Sequence, residues 1–120
     1  MRVLICGGRD YSDRDAAFKA LDMLPFTPSM VIEGGARGAD ALGKMWAIKK
    51  GIHVAEVRAL WDSFGKAAGY KRNASMLPLA DYVVAFPGGR GTEDMIKQAK
   101  AAGVPVWEPY CLVEITAVIK

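Results

Sequence analysis

Apolar and polar positions along the chain follow two alternating rhythms. Short unbroken apolar runs recur at 2–6 (RVLIC), 29–33 (SMVIE), 52–57 (IHVAEV), 81–86 (DYVVAF) and 104–107 (VPVW). Between them the apolar residues take helical spacing. In 14–24 (RDAAFKALDML) they place Ala17, Phe18, Leu21 and Leu24 on one face, and Pro25 stops the helix. Segments 38–51, 68–78 and 91–103 also read as helices, closed by Gly51, Pro78 and Gly103. Strands that alternate with helices pair in parallel and carry helices on both faces. Residues 58–67 have no clean period and read as a loop with a short turn, and the tail 110–120 (YCLVEITAVIK) fits a helix or an edge strand.

The expected architecture is therefore α/β, a Rossmann-like three-layer sandwich. Its mostly parallel sheet has about five strands in the order 3-2-1-4-5, and residues 1–120 form a single domain. Composition agrees: 52% hydrophobic and 24% charged residues make an ordinary globule. A net charge of +3 is too small for a protein that wraps a polyanion, so no nucleic-acid partner is expected. Cys6, Cys111 and His53 are scattered and form no CxxC or Cys/His cluster. That excludes a structural zinc site and a disulfide scaffold, so no metal is expected and a reducing cytoplasm is. The apolar run at the N-terminus ends at Gly7, too short for a signal-peptide core, and no run approaches the length of a membrane span.

Three strands end in the same grammar of Gly-Gly, arginine and acid: LICGGRD, VIEGGARGAD and AFPGGRGTED. In an open parallel sheet these loops share one edge, where ligands bind. Glycine admits close backbone approach, and a helix that opens straight after the loop aims free N–H groups and a positive dipole end at its mouth. Phosphate binding by PGGRGT needs no lysine under that geometry, and Arg90 adds a guanidinium. The same reasoning applies to Arg37 and Gly38 in GGARGAD. Neither loop is a Walker or GxGxxG motif. One Gly-Gly turn would signify little, whereas three on one edge point to a ligand site. Glu93 and Asp94 suit the first turn of a helix by charge alone. Lys71, Arg72 and Asn73 open a short helix expected on the same edge, and Trp61 suits stacking on a base or packing on a helix. Asp13 reads as a cap, His53 as structural, and Met45 and Trp46 as core.

Taken together, CGGRD, GGARGAD, the tryptophan loop, AGYKRNASM and AFPGGRGTEDM resemble the SLOG (Smf/DprA–LOG) superfamily, in particular its small single-domain YspA-like branch. The resemblance covers residues 2–107 and implies a Rossmann-like nucleotide-binding fold. Its LOG branch cleaves the N-glycosidic bond of nucleoside 5′-monophosphates through PGGxGTxxE and an upstream Arg-Lys-x-x-Met segment. Here residues 87–92 match the glycine loop, and Arg72 with Met76 matches the arginine segment. The family's glutamate falls on Met95, and the nearest carboxylate, Asp94, is about 100° away around a helix.

These observations lead to a protein that binds a nucleotide or nucleotide derivative, as a sensor or by sequestration, without a cofactor. The ligand-binding set is Gly7, Gly8, Arg9, Asp10, Gly34, Gly35, Arg37, Gly38, Asp40, Arg72, Asn73, Pro87, Gly88, Gly89, Arg90, Gly91 and Thr92. The alternative is a phosphoribohydrolase in which Arg72, Asp94 and Glu33 act catalytically. A third class, single-stranded DNA binding as in DprA relatives, would draw on Lys66, Tyr70, Lys71 and Arg72. Related folds commonly dimerise, so a homo-oligomer, dimer or higher, is expected.

Overall fold

A computed structural model describes residues 1–60 and 64–109. In chain order the elements are β1 (Arg2–Cys6), α1 (Arg14–Asp22), β2 (Met30–Glu33), α2 (Ala39–Lys50) and β3 (His53–Glu56). A 3-10 turn (Gly65–Ala67) leads into α3 (Ala68–Met76), and a second turn (Leu77–Leu79) leads into β4 (Tyr82–Ala85). The helix α4 (Arg90–Ala101) and the strand β5 (Val106–Trp107) follow. Trp61, Cys111 and the tail 110–120 lie outside the described residues.

The five strands form one sheet in the order β3-β2-β1-β4-β5, and every pairing is parallel. The central strand β1 sets Leu4 beside Ile32 on one side and Val83 on the other. Alternation along β1 splits the core in two. Val3 and Ile5 point to one face and pack with Ala17, Leu21, Trp46 and Ala47 from α1 and α2. Leu4 and Cys6 point to the other and meet Met76, Met95 and Ala99 from α3 and α4.

The helix ends obey local chemistry. Asp13 caps α1 by accepting from Ala16 N at 3.0 Å. Gly51 ends α2 in the left-handed conformation, with φ 72°. Pro78 does not simply end α3, because the chain tightens at Leu77 into a 3-10 turn that takes the proline in its first positions. The strand β5 is shorter than its apolar run, since Pro105 offers no N–H and contributes its carbonyl to Val83 N at 2.9 Å. Trp46 is buried, and its indole N–H donates to Asp22 Oδ1 at 2.9 Å, which ties α2 to α1. Its neighbour Met45 turns to solvent, contrary to the core placement expected from sequence, because consecutive helical residues point about 100° apart. His53 stands exposed at the start of β3. Among the described residues no helix is long and apolar enough to cross a membrane.

Candidate functional site

Because β1 lies between β2 and β4, the loops after all three strands rise side by side at one edge of the sheet. They are bonded directly to one another. Gly8 N donates to Pro87 O at 2.8 Å, while Gly8 O accepts from Ala39 N at 3.1 Å and Tyr11 N at 3.2 Å. Tyr11 also stacks on Phe86, with centroids 5.2 Å apart. Side chains are excluded at the seams. A Cβ at Gly7 would lie 2.5 Å from Ala39 Cβ, and one at Gly88 would lie 2.6 Å from Gly8 N. A Cβ at Gly38 would collide with the carbonyls of Gly8 and Arg9. At Gly89 and Gly91 the same test meets no atom within 4 Å. The glycines therefore divide into those that let loops pack and those that leave backbone open.

The open pair borders a cleft of about 370 Å³ lined by Cys6, Gly7, Gly8, Arg9, Ala36, Asp40, Gly69, Tyr70, Arg72, Asn73, Met76, Gly89, Gly91 and Thr92. At its rim α4 begins with Gly89 as N-cap and no side-chain cap. The first bond across this end runs from Glu93 N to Gly89 O at 3.0 Å, so the N–H groups of Arg90, Gly91 and Thr92 precede the helical ladder. At the corresponding end of α2 the first amide is engaged, because the Gly8 carbonyl takes Ala39 N–H. The α4 end keeps the free-amide geometry expected from sequence at all three of its leading N–H groups, whereas the α2 end has given up its first to the loop after β1.

Arg72 comes from α3 and reaches back over β2, donating from Nη1 to Gly34 O at 2.9 Å and from Nε to Asn73 Oδ1 at 3.1 Å. Gly34 has no side chain to block it, since a Cβ there would collide with the guanidinium. Asn73 is buried, and its amide donates to Gly91 O at 3.1 Å and Asp94 Oδ2 at 3.0 Å, which holds α3 against the start of α4. Asp40 fastens the loop after β2 by accepting from Gly34 N at 3.1 Å and Ala36 N at 3.3 Å. Burial pushes its carboxyl above the usual range, opposed by those amides and by Arg72. On the cleft floor burial pushes the Cys6 thiol up to about 12, so it stays protonated.

A second cleft of about 400 Å³ adjoins the first and is lined by Arg9, Gly34, Gly35, Ala36, Arg37, Arg58, Ala59 and Arg72. Glu33 and Glu56 lie beneath it as register partners in β2 and β3. Glu33 is 1% exposed, with Oε1 accepting from Gly35 N at 2.7 Å. Its Oε2 is the buried polar atom among the described residues that finds no donor. Burial, reinforced by the Glu56 carboxylate, pushes Glu33 up to about 7. Glu56 is held down to about 2, chiefly by Arg58 at 2.7 Å, with Glu33 and then Lys44 at 3.3 Å adding to the effect. Burial beside the Glu56 carboxylate thus favours the protonated form of the Glu33 carboxyl. The folded state binds this proton more tightly than the unfolded chain, where the carboxyl ionises near its ordinary value of 4.5. Its stabilisation is complete below that pH and is lost as pH rises through about 7. Thermal melts from about pH 5 to 8 are expected to show wild-type stability falling. Glu33→Gln, whose amide donates permanently, is expected to flatten that slope. A slope equal in both proteins would show that the Glu33 carboxyl does not ionise in this range.

The first cleft gathers Gly7, Gly8, Arg9, Asp40, Arg72, Asn73, Gly89, Gly91 and Thr92 from the sequence-derived set. Gly34, Gly35 and Arg37 line the second. Asp10, Gly38, Pro87, Gly88 and Arg90 line neither, and Arg37 Nη2 pairs with Asp10 at 3.3 Å in the open. Glu33 and Asp94 are also outside both linings, and Asp94 Oδ2 accepts from Gln98 at 2.7 Å as well as from Asn73. Arg58, Gly69, Tyr70 and Met76 are lining residues that the sequence-derived set lacks. Arg58 sits in a stretch without period, and only the Arg-Lys-x-x-Met likeness drew attention to Met76.

Comparison with known proteins gives three matches. The model of the YspA, cpYpsA-related SLOG family matches residues 1–64. The Gene 61 protein of Mycobacterium phage D29 is 42% identical over 116 residues, covering 88% of this chain and 93% of that protein. The X-ray structure of TM1055 superposes with a TM-score of 0.66 at 22% identity, covering 88% of this chain and 71% of that one, a likeness of fold.

Proposed function

Because the chain belongs to the YspA, cpYpsA-related SLOG family, we propose that it is a nucleotide-binding protein that holds a phosphorylated ribose in the first cleft. The observation that carries this is the uncapped start of α4 opening onto a cleft whose facing wall presents Arg72. The N–H groups of Gly91 and Thr92 take the phosphate with the helix dipole behind them, and Arg72 neutralises it. The ribose lies over the bare backbone of Gly7 and Gly8, and the base rests against Tyr70, a residue that is 46% exposed.

Two features favour binding over hydrolysis. Met95, at the position of the LOG-branch glutamate, is fully buried in the core and offers no carboxylate. Asp94 is occupied by two side-chain amides, and Glu33 lies beneath the loop. Sensing or sequestration of a nucleotide needs no more than the cleft supplies. Thermal-shift measurements with AMP, ADP-ribose, NAD and cyclic nucleotides test the proposal. A ligand at about a hundred times its Kd stabilises by about 2.7 kcal/mol, a shift of several degrees for a domain of this size. No shift with any of them would sink the proposal, and free base released from a 5′-monophosphate would replace it with the hydrolase.

A further inference from the structure

We propose that the second cleft is an anion subsite for a second phosphate of the bound nucleotide, so that the preferred ligand is a nucleoside bisphosphate and not a monophosphate. This rests on the nucleotide-binding reading of the first cleft. Arg9, Ala36 and Arg72 line both clefts, so the two are continuous past the Arg72 guanidinium. Arg9, Arg37, Arg58 and Arg72 face the second space, and no carboxylate lines it among the described residues. Gly35 adopts φ 75°, and a Cβ there would lie 2.9 Å from Arg58 Cγ, so bare backbone lets the Arg58 stem lie against the loop.

The two outer guanidiniums are positioned to be recruited. The side chains of Arg37 and Arg58 are 76% and 74% exposed, and their partners are Asp10 and Glu56. The Arg37–Asp10 pair is exposed on both sides and weak, and the Arg58–Glu56 pair is open on the arginine side, whereas a phosphate offers each arginine a bidentate, doubly charged acceptor. Arg58 can also leave Glu56 without stranding it, because Lys44 Nζ stays 3.3 Å from Glu56 Oε1 and the Glu33 carboxyl lies alongside. A ligand with one phosphate at the start of α4 and another beyond Arg72 would engage both clefts at once.

Titration calorimetry on the whole chain with the four nucleoside 5′-monophosphates and the matching 3′,5′-bisphosphates tests this. The bisphosphate is expected to bind about tenfold or more tighter at low salt, the worth of a charge-assisted arginine contact. In Arg58→Gln the two affinities are expected to converge. Equal affinities in the wild type, or a gain that survives Arg58→Gln, would overturn the subsite and leave the first cleft standing. Failure of every nucleotide to bind would overturn both.

Discussion

Gly38→Ala is expected to destabilise the protein by about 3 kcal/mol or more, read as a lowered urea midpoint. Gly38 adopts φ 77° and ψ −128°, a region closed to residues with a side chain. A Cβ there would also press into the carbonyls of Gly8 and Arg9. Gly8 is the hub of the edge, with its N–H on Pro87 O and its carbonyl on Ala39 N and Tyr11 N. Displacing it separates the loops after β1, β2 and β4 together, so nucleotide binding is expected to fail with stability. Gly89→Ala is the milder comparison, since Gly89 has negative φ and open space where its Cβ would go. Its loss is expected to be smaller, about 1 kcal/mol, the cost of alanine at an N-cap with ψ −142°. Equal midpoints for the two variants would show that Gly38 is not the seam described.

Arg72→Met is expected to weaken binding of whichever nucleotide the thermal panel selects by about 30- to 150-fold, or ~2–3 kcal/mol, when measured by calorimetry. Arg72 faces both clefts and brings a positive charge to the place where the phosphate would sit. The fold is expected to survive, with a loss of about 1–2 kcal/mol for the contacts to Gly34 O and Asn73 Oδ1. Arg72→Lys is expected to restore little, because a single ammonium cannot hold that carbonyl and amide and also grip a phosphate. Wild-type affinity in a folded Arg72→Met protein would place the ligand elsewhere.

Much of this site could be read before the fold was known, and the unread part has a common cause. The pattern of glycine, arginine and acid after three strands located the edge, and Arg72 and Asn73 were drawn to it from a different helix. Glycine itself does not reveal its purpose. Gly88 packs against Gly8, whereas Gly89 beside it faces open space, and nothing in the letters separates them. The carboxylates behave likewise. Glu33 and Asp94 look available in sequence, yet one is buried against Gly35 and Glu56 and the other is held by Asn73 and Gln98. Arg58 has no periodic neighbours to mark it and becomes part of a site only because the end of β3 lies beside the loop after β2.

By itself the sequence determined the alternation of strands and helices that implies a parallel α/β sheet, the helix ends at Asp13 and Gly51, and the edge where three glycine loops emerge. These follow from periodicity, caps and turns, which act over a few neighbouring residues. The tertiary structure decided which helix N-terminus gives an amide to a neighbouring loop, which glycines form seams, which acids are already engaged, and that a second arginine-lined space continues from the first. Each of these depends on atoms from strands distant in the chain meeting at one edge. There hydrogen-bond partners and free volume are set by packing between loops, and local pattern carries no record of that packing.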